Sequence, residues 1–465
     1  MTAATVRRPP GPPPVTKNPF SLLAYSRRMK SGGAARIRER FELYGDIYCA
    51  PFLGRDVIVL RHPEHLHEVL VAQANKFDKP SQGLTARQLA RVLGQGLLSS
   101  NGELWRSQRR LIQPAFRKER LEEYSQTIVL NTEQMLDGWR DGAELDVSRE
   151  MMELTLRIVS KALFGHSVTH EMDSVASAMR VLRSSFGGVE AVLPDWLPLP
   201  GKTRALTAIA NMDAIIYELI DNAQGGHGRH LLSALAGPRD GASEHAGMSR
   251  RQLRDELVTL FLAGHETTSH ALSWTWHLLS LHPEVEQKLQ AELTSVLGER
   301  RADWSDLEQL PYAEQVLSES MRLFPPAYVL ARVANADATI GGYSVSKGSD
   351  VVMWIYHTHR DARWFPEPER FEPERFSPAR RKQIPQGAYV PFGAGTRTCI
   401  GKQFALMEAL LILARTAQRF SLSALPSARI EADMSVTLAP KHGLQMRVRK
   451  RVPHSGRALN HQVQP

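Results

Sequence analysis

The chain has 465 residues, of which 42% are hydrophobic and 23% charged, the balance of an ordinary globular protein and not of a disordered or fibrous one. Its length allows one large core or about three domains of ~150 residues, and its two cysteines, Cys49 and Cys399, exclude a disulfide-stapled scaffold and any four-cysteine zinc or iron–sulfur site. Lysine and arginine number 58 against 49 acidic residues, a formal charge of +9 that favours acidic partners without naming them.

The chain opens on MTAATVRRPPGPPP, which contains no apolar run able to serve as a signal peptide or membrane anchor. Its prolines predict an extended, flexible arm over residues 1–17. A short strand is expected at Val57–Leu60. Residues 224–247, rich in Gly, His and Ser, read as a mobile connection. Ser249 can then cap a helix whose Gln252 reaches back, a capping-box pattern. Apolar residues recur at helical spacing through Leu253, Leu257, Leu260 and Phe261 to Leu281, where His282-Pro283 ends the run. About 30 residues at 1.5 Å each give a central helix of roughly 45 Å.

Helices follow over Glu284–Leu297, stopped by Gly298, and Tyr312–Leu323, stopped by Pro325-Pro326. Short strands are expected at Ala338–Val345, around Gly341-Gly342, and at Val351–Ile355, and a last helix over Gly401–Gln418. The longest apolar stretches, such as Ala409–Ala414, fall far short of the ~18 residues a membrane span needs. Residues 450–465 read as a basic tail. The expected fold class is mainly α with a smaller β-rich portion, in a reducing, intracellular setting.

The chemistry concentrates in Phe392–Gly401, FGAGTRTCIG. A cysteine stands just before a helical pattern, where the helix dipole and free backbone N–H groups favour a thiolate. Gly393 and Gly395 permit a backbone approach that side chains would block. Taken alone, Cys399 could be an inert buried thiol, a nucleophile or a metal ligand. Glu319 and Arg322, three apart, share a helix face ahead of Leu323-Phe324-Pro325-Pro326, and Pro373-Glu374-Arg375-Phe376 follows some fifty residues later. In the middle of the long helix stands Ala263-Gly264-His265-Glu266-Thr267-Thr268. A mid-helix threonine ordinarily bonds back to the carbonyl four residues earlier.

The complete pattern Phe-x-x-Gly-x-Arg-x-Cys-x-Gly resembles the haem-binding signature of the cytochrome P450 superfamily, and a chance match has a probability on the order of 1 in 10,000. The other motifs follow in that family's order. The resemblance runs from about Asn18 to Arg449 and implies one domain over 18–449, with a long central helix over haem b and the cysteine loop beneath it. It implies Cys399 as the iron's axial ligand, with Phe392, Gly393, Arg397 and Gly401 completing the loop. Glu319, Arg322 and Arg375 become a buried structural triad. Glu266 and Thr267 become the acid–alcohol pair that relays protons to bound dioxygen, with Ala263 and Gly264 as small surfaces beside the haem and His265 as a spacer. Trp105, Arg109, Arg332 and Arg397 match positions that hold the haem propionates.

The implied activity is that of a haem-thiolate monooxygenase, which inserts one oxygen atom from O2 into a terpenoid, steroid or fatty-acyl molecule. The family's peroxygenase or rearrangement chemistry, or a non-catalytic haem sensor, are the alternatives. The 465 residues leave no room for a flavin or nicotinamide domain beside this fold. A separate acidic donor is therefore implied, a ferredoxin or flavodoxin with its reductase, docking on Arg106, Arg110, Arg117, Arg381, Lys382 and Lys402. Substrate is expected against residues 76–100, 194–200, 327–330 and 436–438. A cytoplasmic monomer without nucleic-acid or membrane partners completes the expectation. The histidines His62, His65, His67, His357 and His359 read as ordinary surface or core residues.

Overall fold

The structure is a computed structural model, and it describes residues 7–16, 18, 33–81, 84–165, 199–223, 231–236 and 247–451. Its axis is the helix Arg250–Leu281, 32 residues long and so about 48 Å from end to end. The capping box forms as its sequence requires: Gln252 N–H donates to Ser249 Oγ at 3.3 Å, and Ser249 N–H to Gln252 Oε1 at 3.0 Å. His282 leaves the helical conformation ahead of Pro283, which opens the next helix, Pro283–Leu297. The central helix is buried round almost its whole circumference from Leu253 to Leu279, because helices press on it from several sides. Val147–Phe164 lies closest; a Cβ on Gly264 would come within 2.8 Å of a Val159 methyl. Pro311–Leu323 and Lys402–Arg419 pack beside it, and their apolar faces join Leu272, Trp276 and Leu279 in one core. A second core joins the first turns of the central helix to Pro200–Ala223 and Leu231–Ala236.

The β-rich portion is smaller. A five-stranded sheet runs in the order Ile47–Cys49, Val57–Leu60, Asp350–Met353, Leu330–Ala334, Phe77–Asp78, with one parallel pair, Val57–Leu60 on Asp350–Met353. Glu144–Asp146, Gln445–Lys450 and Phe420–Ala424 form a three-stranded sheet. Ala338–Ile340 and Tyr343–Val345 form a hairpin that turns at Gly341-Gly342, both at positive φ. The strand expected to reach Ile355 stops at Met353, and Ile355 instead opens the short helix Ile355–Thr358. A continuous apolar run fits either element, and here the Thr358 hydroxyl, bonded at 2.8 Å to the Arg61 carbonyl, turns the chain back over the sheet.

Residues 7–15 are extended, as their prolines require, but lie on the sheet and do not hang free. Cys49 N–H donates to the Pro10 carbonyl at 2.7 Å and Ser344 N–H to that of Arg7 at 3.0 Å. At Gly11 a Cβ would stand 1.8 Å from the Cys49 carbonyl oxygen, so only glycine lets the two backbones touch. The basic end is likewise tied down as far as it is described, Arg451 N–H bonding the Arg419 carbonyl. No helix among the described residues is long and apolar enough to cross a membrane.

Candidate active site

The cysteine loop is fixed by its glycines and closed by its own backbone. Gly393 and Gly395 have φ of +70° and +69°. A Cβ on Gly395 would fall 1.8 Å from the Leu70 carbonyl oxygen, so the loop can sit against the Glu68–Ala72 turn only with glycine there. Thr398 N–H and hydroxyl both bond the Gly395 carbonyl, and Cys399 N–H bonds that of Phe392 at 3.0 Å. Gly401 is different. Its φ is −89°, and a Cβ would make ordinary contact with Phe116 at 3.5 Å, so neither backbone nor space demands a glycine.

Behind the loop stands the expected triad. Arg322 grips Glu319 through two bonds of 2.7 and 2.8 Å, and Arg375 approaches the same carboxylate at 3.3 Å. None of the three is more than 4% exposed. Arg322 also donates to the carbonyls of His359, Pro368 and Arg370. The His359 ring accepts the Val390 N–H at 3.0 Å, which carries the triad's rigidity to the strand of chain entering the cysteine loop. Its role was invisible in the sequence, since partner and ring lie 31 positions apart.

The thiol itself overturns one expectation. Burial pushes the Cys399 pKa up, and the Gly401 N–H and the charges of Arg109 and Lys402 do not bring it back. The helix terminus is therefore outweighed by desolvation, which disfavours a free nucleophilic thiolate. Cys399 retains accessible surface although protein surrounds its thiol, the character of a residue at the floor of a recess. No group of three or more His, Cys, Asp or Glu able to hold a metal exists among the described residues. A metal at Cys399 must then bring most of its own ligands, as a macrocycle does.

On the central helix, Ala263 is exposed and Thr267 partly open, whereas the flanking turns are buried. One narrow face of an otherwise enclosed helix thus borders open space, and Thr267 lies on it with its hydroxyl bonded back to the Ala263 carbonyl at 2.8 Å. Gly264 does not share that face. Its missing Cβ points at Val159, so its smallness serves helix packing and not a surface beside the cofactor. Glu266 is buried. His265 turns inward, its Nδ1 2.7 Å from the Phe261 carbonyl, and burial holds its pKa down. Thr268 faces Glu408, a carboxyl with no exposure whose two oxygens lack hydrogen-bond partners and whose pKa burial pushes up to about 8.

Four cations gather along one edge. The Arg397 guanidinium lies 4.0 Å over the Trp105 ring and donates to Ser100 and Asn101, each at 2.9 Å. Arg109 sits 5.7 Å from the same ring and bonds the Thr398 carbonyl at 3.1 Å. Arg332 is 5% exposed. Lys79, which the sequence placed only in a pocket-lining segment, completes the group. None of the four forms an ion pair with a carboxylate among the described residues. Burial, then the fields of Arg332 and Arg397, push the Lys79 pKa down to about 7, and burial brings Arg332 and Arg397 down to about 10. So much unanswered positive charge beside a recessed thiol fits a dianionic group that enters with a metal.

Residues 9–446 match the family model described as Cytochrome P450. The chain belongs to the cytochrome P450 family. The P450 is 36% identical to cyclooctatin synthase of Streptomyces melanosporofaciens, over 85% of this chain and 88% of that one. It is 35% identical to the same organism's cyclooctat-9-en-7-ol 5-monooxygenase, over 78% and 80%. Pentalenene oxygenase of Streptomyces avermitilis is 29% identical over 84% and 87%. A cyanobacterial P450 solved with retinoic acid superposes with a TM-score of 0.83 at 25% identity, covering 96% of this chain and all of that one. The expected fold class, mainly α with a smaller β-rich portion, is therefore the observed one, and the family's cofactor is haem b. The P450 is a monooxygenase that uses O2, a lipophilic small molecule and electrons from a redox partner.

Of the six cations expected to meet that partner, Arg106 and Arg381 pair with Glu103 and Glu314, and Arg110, Arg117, Lys382 and Lys402 are exposed. The expected substrate segment at 194–200 lies outside the described residues except for its last two positions, as does most of the connection at 224–247.

Proposed function

We propose that Cys399 is the axial ligand of the haem, that Lys79, Trp105, Arg109, Arg332 and Arg397 hold its propionates, and that Glu266 and Thr267 deliver protons beside it. The bound haem supplies oxygen activation and insertion into C–H or C=C bonds. The chain does the rest. The buried Glu319–Arg322–Arg375 network and His359 keep the sulfur in place. Phe392, Gly393 and Gly395 shape the loop, Gly401 follows the sulfur at the start of the next helix, and Lys402, its ammonium 6.0 Å from the Phe392 ring, flanks it. Thr267, bonded to Ala263 when it has no other acceptor, can rotate to donate into the recess.

The observation that carries this reading is one recessed thiol beside four cations that pair with no carboxylate among the described residues. For substrate we propose a terpenoid-type hydrocarbon skeleton, supported by what the Streptomyces relatives are named for and by the uncharged segments Ala327–Leu330 and Val436–Leu438. One folded catalytic unit over residues 18–449, cytoplasmic and monomeric, is supplied by an acidic ferredoxin or flavodoxin docking on Arg110, Arg117, Lys382 and Lys402, whose reduction rate should fall with added salt. The deciding test is Thr267→Ala in the holoenzyme with surrogate donors. We expect oxygen uptake to continue while product per oxygen falls at least about fivefold, within the range of proton-transfer effects. Unchanged coupling removes Thr267 from proton delivery. A reduced carbon monoxide complex lacking the thiolate-type band removes Cys399 from the iron.

A further inference from the structure

The loop Gly94–Ser100 ties the central helix to the cationic edge of the recess. Gln95 N–H donates to the Asp255 carboxylate at 2.9 Å and Leu97 N–H to that of Glu256 at 3.0 Å. At its other end Arg397 donates to the Ser100 carbonyl at 2.9 Å. The seat is tight. A Cβ on Gly94 would lie 2.2 Å from the Asp255 carboxylate, and one on Gly96 would lie 2.2 Å from Thr259 Oγ1 and 2.6 Å from the Asp255 carbonyl. Leu97 packs against the core that includes Leu257, Leu260 and Phe261 of the central helix.

The two carboxylates beneath the loop are not alike. Asp255 is answered by Arg254 at 2.9 Å, which also bonds Asp213 of Pro200–Ala223 and the Val92 carbonyl. Glu256 has no exposure and receives only the Leu97 N–H; its Oε1 is buried without a partner, as is the Thr259 hydroxyl one turn on. Among the described residues no cation reaches it. The loop carries no charge, Leu231–Ala236 carries none, Gly102–Ile112 turns Gln108 toward the loop, and Arg87 and Arg91 of Leu84–Leu93 are exposed. The charged group facing Glu256 is Asp255, of the same sign.

We propose that the Gly94–Ser100 loop is a lid on the substrate recess and that Glu256 is its positioning residue, seating the lid when neutral and loosening it when ionised. A neutral carboxyl still accepts the Leu97 N–H. An ionised one, sealed from water with one N–H for its two oxygens, gains by letting water in, and only the loop can move to admit it. Burial, with Asp255 adding to it, raises the Glu256 pKa from 4.5 to about 7 against the Leu97 bond. Because the seated lid holds the proton and an open one releases it, the lid opens as pH rises. Linkage of those two values gives about a tenfold increase in the open population between pH 6 and pH 8.

The inference rests on reading the recess as the haem and substrate slot, and its test separates the two. Amide hydrogen exchange of the Gly94–Ser100 peptide in the holoenzyme, corrected for intrinsic base catalysis, reports the lid directly. Stopped-flow binding of n-butyl isocyanide, which does not titrate in this range, reports entry to the iron. In the natural protein both should quicken about tenfold from pH 6 to pH 8. Glu256→Gln should be slow at both pH values, and Gly96→Ala, whose Cβ pries the loop off Thr259, fast at both. A natural protein without the pH slope, or a slope that persists in Glu256→Gln, overturns the lid. Absence of any isocyanide spectrum overturns the slot reading, while exchange still decides the lid.

Discussion

Acid should unfold this P450 through two buried histidines, and His359 lets the effect be isolated. Burial first, then the field of Arg322, pushes the His359 pKa down to about 3, and burial does the same to His357. An unfolded histidine takes up its proton near 6.5. Between those values the unfolded chain binds a proton that the folded chain refuses, so the stability present above pH 6.5 is lost as pH falls toward 3. For a single group the loss from pH 7 to pH 5 is about 2 kcal/mol. His359→Phe keeps the ring that packs 5.2 Å from Tyr389 but takes the acceptor from the Val390 N–H, at a cost of about 1–3 kcal/mol at pH 7. The variant no longer titrates at this position, so its disadvantage should shrink by about 2 kcal/mol at pH 5 and nearly vanish. Urea midpoints of the two holoproteins at pH 7 and pH 5 measure the difference. Parallel pH dependence would refute the argument, because it would mean that His359 is not held neutral by the fold.

Three further outcomes follow from the same geometry. Glu319→Gln leaves Arg322 buried without its counter-charge and Arg375 with Glu372 alone, and should cost about 3–5 kcal/mol in urea unfolding. Lys79→Met removes one of the four cations at the proposed propionate site and should speed haem loss to apomyoglobin at least about fivefold, the equivalent of about 1 kcal/mol; an unchanged rate removes Lys79 from that site. Glu408, whose pKa is raised to about 8 by burial, weakens the fold as pH climbs through that value. Glu408→Gln should therefore lose less stability between pH 7 and pH 9 than the natural protein, in thermal melts of both.

What could be read in advance was local. Ser249 and Gln252 are three positions apart, His282-Pro283 is adjacent, and FGAGTRTCIG is contiguous, so the central helix and the cysteine loop were legible residue by residue. Even the Glu319–Arg322 grip is one helical turn, and Arg375 entered through the family resemblance. What escaped depends on where distant segments meet. Lys79 follows a two-residue edge strand with no motif around it, and becomes a site residue only because Leu330–Ala334 lays Arg332 beside it. Gly264 stands beside Ala263 in a motif, yet the 100° between successive helical residues turns one to Val159 and the other to the recess.

The thiol shows the same limit in its electrostatics. Sequence supplies the helix terminus that favours a thiolate, but the opposing desolvation is a property of the assembled walls, and it wins. Glu256 repeats the pattern beneath the Gly94–Ser100 loop, where burial outweighs the Leu97 N–H. In both places the fold holds back a negative charge. At Cys399 the proposed remedy is a metal that shares the sulfur's charge, and at Glu256 it is a loop that can lift. The difference lies in what surrounds them: Cys399 is clamped from behind through His359 and the triad, whereas the chain above Glu256 is held at two backbone N–H groups, at the Gln95 and Ser100 carbonyls by Gln108 and Arg397, and by the fit of two glycines.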